Sequence, residues 1–157
     1  MRSIITLATL AISASCSAAP TNTGGWINFY NQEDDYFPGE VSSRYYYYLE
    51  ENNTSMEDNL IYIWIKIDNL EEAAERYASR YEGAISDQIT KYKVSINCTT
   101  NEMTYISGIE LSRNDEIFNN MIYNGNNGPF INGNRIIINP DNIYYSLVNI
   151  LCRSRSQ

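Results

Sequence analysis

Apolar and polar residues alternate through most of the middle of the chain, and a helical period appears only twice. In residues 60–67, Ile61, Ile63, Ile65 and Ile67 fall on one side, while Leu60, Tyr62, Trp64 and Lys66 fall on the other. Successive strand residues point to opposite faces, so the isoleucine side is core. Trp64 marks the opposite side as partly covered or as an interface. Residues 91–99 repeat the pattern, with Tyr92, Val94, Ile96 and Cys98 inward and Lys91, Lys93, Ser95 and Asn97 outward. Asn101-Glu102 reads as a hairpin turn, and residues 103–112 as the return strand. Residues 26–30 and 44–49 are further strands, as are residues 131–138, with a turn at Asn132-Gly133. Within residues 44–49 four tyrosines follow one another. Tyr45 and Tyr47 face one side, Tyr46 and Tyr48 the other. They are either ordinary strand residues or, with Trp64, a binding surface, since tyrosine brings both area and a hydroxyl to recognition sites.

The first helical stretch is residues 70–81. Leu70, Ala73, Ala74, Tyr77 and Tyr81 form a modest stripe, Asp68 or Asn69 can cap the start, and Gly83 can end it. Its Glu72 and Arg76 are spaced to pair. The second closes the chain over residues 139–152. Asn139 suits the cap, Pro140 the first helical position and Asp141 the positive end of the helix dipole. Tyr144, Leu147, Val148, Leu151 and Cys152 make one apolar stripe. Between the elements, residues 31–39 and 50–59 are acidic loops, the first with a Pro38-Gly39 turn. Residues 114–130 form a long loop rich in Asn and Gly, with a short turn at 117–123.

Residues 1–18 stand apart. Met1-Arg2 is a short positive start, residues 4–14 are apolar, and Ser15-Cys16-Ser17-Ala18 is a small-residue exit. That is the pattern of a secretory signal peptide. A second reading takes Cys16 as a lipidated N-terminal cysteine, although Ser13 stands where such sites usually carry Leu. Residues 19–25 are a polar leader, and residues 26–157 are long enough for a single domain with a real core. Removing Arg2 leaves ten basic against 19 acidic residues, a net charge of −9. This argues against nucleic acid and anionic membrane surfaces as partners, because both call for clustered Lys and Arg. Membrane contact would come only through a lipid on Cys16.

Cys98 and Cys152 remain after signal removal, and an even pair in an exported chain reads as one disulfide. The two alternation patterns turn both sulfurs toward the same side, as a disulfide requires. The chain has no histidine, which removes Ser-His and Cys-His nucleophiles and the commonest zinc ligand. Acid pairs occur at Asp34-Asp35, Glu50-Glu51, Glu71-Glu72 and Asp115-Glu116, but a glycosidase needs its carboxylates at a set separation across a cleft. No catalytic residue, metal site or cofactor is read from the sequence.

Two blocks carry a family resemblance. One is the strand Tyr92-Lys93-Val94-Ser95-Ile96-Asn97-Cys98 with its return over residues 105–111. The other is Ile138-Asn139-Pro140-Asp141 leading through Leu147 to Ile150-Leu151-Cys152. Together with Trp26-Ile27 after the leader, they make the chain resemble the surface-adhesin protein E family of Gram-negative bacteria. The resemblance implies one antiparallel sheet of about six strands with a C-terminal helix packed on it and disulfide-linked to it; with the surface helix read over residues 70–81, the fold class is α+β. It also implies a periplasmic or outer-membrane surface location, often with a lipid anchor, and allows a homodimer. The function it implies is non-enzymatic binding to proteins, with host matrix proteins as the expected class. The basic binding segments of the family have no counterpart in the acidic, tyrosine-rich residues 44–67, so no binding residue is carried over. A different class of function is a periplasmic inhibitor or accessory protein of a hydrolase, of the lysozyme-inhibitor type, in which an acidic loop at 31–40 or 50–58 would insert into a basic target.

Overall fold

The computed structural model describes residues 24–35, 37–49, 59–78, 88–114, 116–123 and 134–153. The signal segment, Cys16 and the acidic loop at 50–58 lie outside these residues, as do Tyr81, Gly83 and the 131–133 part of the last expected strand.

The alternating segments form one antiparallel sheet. Its strands are β1 (Ile27–Glu33), β2 (Val41–Leu49), β3 (Leu60–Asn69), β4 (Ile89–Asn97), β5 (Glu102–Leu111), β6 (Ile117–Ile122) and β7 (Arg135–Ile137). The first six lie side by side in chain order. The edge of β5 is shared: β6 pairs along residues 107–111 and β7 along residues 102–104. The expectation of about six strands thus becomes seven. The addition is β6, where the sequence suggested only a turn. Its Asn119-Asn120 pair and its exposed Ile117 and Ile122 give it none of the alternation of a half-buried strand.

Cross-strand partners share a face, so the register assigns every side chain. On one face lie Tyr45 and Tyr47 of β2, Ile61, Ile63 and Ile65 of β3, Val94 and Ile96 of β4, and Met103 and Tyr105 of β5. The closing helix α2 (Tyr145–Arg153) covers this front face with Leu147, Val148 and Leu151, and Tyr144 just ahead of the helix packs with them. Burial of this set is the main stabilising term, at roughly 1.5–3 kcal/mol for each large apolar side chain. Gly108 serves the same face. A Cβ there would sit 2.9 Å from Tyr92 Cδ1 and 3.1 Å from the Met121 methyl, so glycine lets the Tyr92 ring lie flat across β5.

The disulfide joins Cys98, at the end of β4, to Cys152 in the last turn of α2, with Cα atoms 5.4 Å apart. The helix itself begins later than its sequence suggests. Asn139 Oδ1 accepts from the Asp141 amide, and Asn142 Oδ1 accepts from the Tyr144 amide. Two turns therefore precede the helix, and Asn142 takes the capping place expected of Asn139.

The second helix, α1 (Glu71–Ala78), also differs at its start. Asp68 and Asn69 both stay in β3, and the Leu70 carbonyl accepts the first helical amides from Ala73 and Ala74. Its Arg76 reaches beyond the helix. The guanidinium reaches Asp34 at 3.7 Å and Glu40 at 3.9 Å, donates to the Val41 carbonyl at 3.2 Å, and lies over the Phe37 ring. This ties α1 to the β1–β2 connection.

Candidate functional site

The face of the sheet opposite α2 is built from two rows of cross-strand neighbours. Tyr46 of β2, Lys66 of β3, Lys91 of β4 and Ile109 of β5 form one row. Tyr48, Trp64, Lys93 and Ser107 form the next. Lys66 and Lys91 are direct partners, and like charges placed opposite one another in a sheet repel. Aromatic rings surround them. Lys66 Nζ lies 4.5 Å from the centre of the Tyr46 ring and 5.0 Å from that of Trp26. Lys91 Nζ is 5.9 Å from the Trp26 ring, and Lys93 Nζ is 5.8 Å from Trp64. A cation over an indole or phenol face gains about 0.5–2 kcal/mol, more as water is excluded.

Trp26 reaches this position because Gly24 and Gly25 turn the chain with φ of 84° and 71°. A Cβ on Gly25 would come within 2.7 Å of Tyr48 Cε2. Both glycines favour the left-handed region, and Gly25 also leaves room for the Tyr48 ring. Trp26 then rests 5.6 Å from Tyr48, ring centre to ring centre. Alternation alone puts Trp64 on the side of Lys66, but Trp26 is not predictable as a neighbour of the lysines from local pattern, because it precedes Lys66 by forty residues.

The candidate residues Tyr45–Tyr48 and Trp64 are therefore divided between two environments. Tyr45 and Tyr47 are 8% and 7% exposed and belong to the core under α2, with Tyr45 donating to Gln32 Oε1 at 2.9 Å. Trp64 is 3% exposed. Tyr46 and Tyr48 are half-buried on the opposite face, as is Lys93, and Arg44 beside them is exposed. The tyrosine run does not make one surface. Its even-numbered members, with Trp26, Lys93 and Arg44, make the accessible part of a cationic and aromatic face. Lys66 and Lys91, 7% and 2% exposed, lie beneath it.

Charge is segregated along with the rings. The only lysines of the chain, Lys66, Lys91 and Lys93, all project from this face. Within β2, β3 and β4 the single carboxylate is Asp68, and Arg113 holds it at 3.4 Å. A cleft of about 410 Å³ adjoins this face at Arg44 and is lined also by Leu70, Glu71, Glu72, Glu75 and Arg113. Its carboxylates are the exposed side of α1. Among the described residues no group of three or more His, Cys, Asp or Glu side chains converges to hold a metal ion.

On the front face, phenols gather around the start of α2. Tyr105 donates to Tyr144 at 2.9 Å, and Tyr92 packs on Tyr105 with ring centres 5.0 Å apart. Burial pushes the hydroxyls of Tyr92, Tyr105 and Tyr144 up from the ordinary tyrosine value, so all three keep their protons beyond the pH at which a free phenol ionises. The acidic stretch 31–40 is equally occupied. Its first part is β1, Asp34 is buried against Arg76, and the Asp34 amide donates to the Glu40 carbonyl at 2.9 Å. It is a fastened connection, not a projecting loop. Set against family models, curated proteins and solved structures, the chain matches none of them.

Proposed function

We propose that this chain is a non-enzymatic, exported binding domain of the adhesin E type, acting by protein–protein contact in the periplasm or at the surface of a Gram-negative bacterium. The observation that carries this reading is the face opposite α2. It presents Tyr46, Tyr48, Trp26, Lys93 and Arg44 at the surface, set on the buried Lys66, Lys91 and Trp64. Rings with a polar atom, carried on a stiff sheet, are the composition of recognition sites, since little side-chain freedom is lost on binding. The disulfide suits an oxidising compartment, and the signal-like residues 1–18 suit export. The inhibitor reading needs an acidic loop free to insert; residues 31–40 are fastened at Asp34, and residues 50–58 lie outside the described residues.

Capture of matrix proteins by the purified mature chain tests the proposal. Binding above that of the reduced, unfolded chain is the expected result. Capture no better than that control removes adhesion.

A further inference from the structure

We propose that Met121 is an oxidation site for peroxide-class oxidants, and that its sulfoxide releases the edge strand β6 from β5. The proposal is independent of what the domain binds. Three observations carry it. First, Met121 anchors its strand. Among the described side chains of β6, Ile117, Asn119, Asn120 and Ile122 are exposed, and Met121 alone is half-buried. Second, its seat is shaped for it. Met121 stands opposite Gly108 in the register, and its methyl and the Tyr92 ring fill the room that the missing side chain leaves. Third, the sulfur has a polar neighbour that would respond to a change there. Tyr123 Oη donates to Met121 Sδ at 3.2 Å, and the Tyr123 ring lies 6.3 Å from Tyr92 and 6.1 Å from Tyr105, centre to centre.

The reaction is an oxygen-atom transfer. A lone pair on the thioether attacks one oxygen of hydrogen peroxide, the O–O bond breaks, and a proton shift releases the other oxygen as water. Sulfur is oxidised, the peroxide is reduced, and no further reactant is needed. A sulfoxide reductase reverses the step at the expense of a dithiol. The product is polar and the seat is apolar. A thioether accepts hydrogen bonds weakly, whereas a sulfoxide oxygen accepts them strongly. The Tyr123 hydroxyl follows the new oxygen, and both leave the Tyr92 ring for water. β6 lies at the end of the strand order, so its pairing with residues 107–111 of β5 rests on few packed side chains, and losing the anchor opens it. Met103, 0% exposed in the core, is an internal control that stays reduced while the chain is folded.

Dilute hydrogen peroxide is added to the mature chain with the Cys98–Cys152 bridge intact, and peptide mass spectrometry and amide exchange follow the result. The Met121 peptide should gain one oxygen well before the Met103 peptide. The β6 amides should then exchange about tenfold faster, while β3 and β4 keep their protection. Met121→Leu keeps an apolar side chain of similar volume and takes no oxygen, so peroxide should leave β6 exchange in that chain unchanged. Any effect of oxidising Met56 persists in this variant and is thereby separated. Met121→Gln should give fast β6 exchange with no peroxide added. Oxidation of Met121 no faster than that of Met103 overturns the site. Sulfoxide formation that leaves β6 exchange as it was overturns the release. So does an equal peroxide response in Met121→Leu, or acceleration that extends through β3 and β4. Should Met121→Gln lose its native near-UV circular dichroism, the wild-type chain before and after peroxide decides without it.

Discussion

Tyr105 and Tyr144 share a hydrogen bond under the start of α2, and Tyr45, Tyr92 and Tyr123 extend the group of phenols around them. Each is raised above the usual value of 10.0, first by burial. For Tyr45, pushed up to about 12, the neighbouring phenols of Tyr144 and Tyr30 add to the effect. In the unfolded chain these groups ionise near pH 10. A folded pKa above the unfolded one means that the unfolded state releases its proton first. The stability these phenols contribute is therefore complete below about pH 10 and is lost as pH rises through the folded values. Absorbance titration should show a set of tyrosines that ionises only above the usual phenol range, together with loss of near-UV circular dichroism. A single titration near pH 10 with no accompanying unfolding would contradict the buried cluster.

At the scale of elements, α2 is a short helix that takes its stability from what it covers. Nine residues form too few turns to persist alone, so the apolar stripe and the disulfide hold it. The bridge closes a separation of 54 residues, worth about 4 kcal/mol in the chain-entropy model. Cys152→Ser should lower unfolding free energy by a few kcal/mol in urea titrations, with the sheet retained. An unchanged midpoint would mean that the bridge adds nothing to the packing of Leu147, Val148 and Leu151. The bridge and the stripe were both legible in the sequence, because each rests on local period and cysteine parity. The start of α2 was not. Asn139 and Asn142 are chemically equal candidates for the cap, and only the turns leading from β7 decide between them. The same holds for α1, where Arg76 reaches Asp34 and Glu40 across the fold, partners that no local spacing indicates.

For the whole molecule, alternation fixes which residues face which way, but not what lies over them. The isoleucines of β3 were readable as core. The sequence also placed Trp64 and Lys66 on the other side, yet did not place Lys66 beneath Trp26, a contact that depends on two glycine turns and on the order of the strands. β6 was missed for a related reason: an edge strand needs only a partner's backbone, and its side chains need no pattern. The sheet is consequently graded. β3 and β4 are bonded on both sides, buried in front by α2 and backed by the lysine and aromatic rows. β1 and β6 are edges, with Ile122 77% exposed. Amide exchange follows the cheapest opening that frees each hydrogen, and edges open without disturbing the centre. The amides of β3 and β4, bonded to neighbours on both sides, should exchange most slowly, at a rate set by global unfolding, and those of β6 fastest among the strands. Mass-spectrometric exchange on the oxidised chain reads this directly. Protection of β6 equal to that of β3 would mean that a second surface covers that edge in solution, and the graded sheet would have to be abandoned.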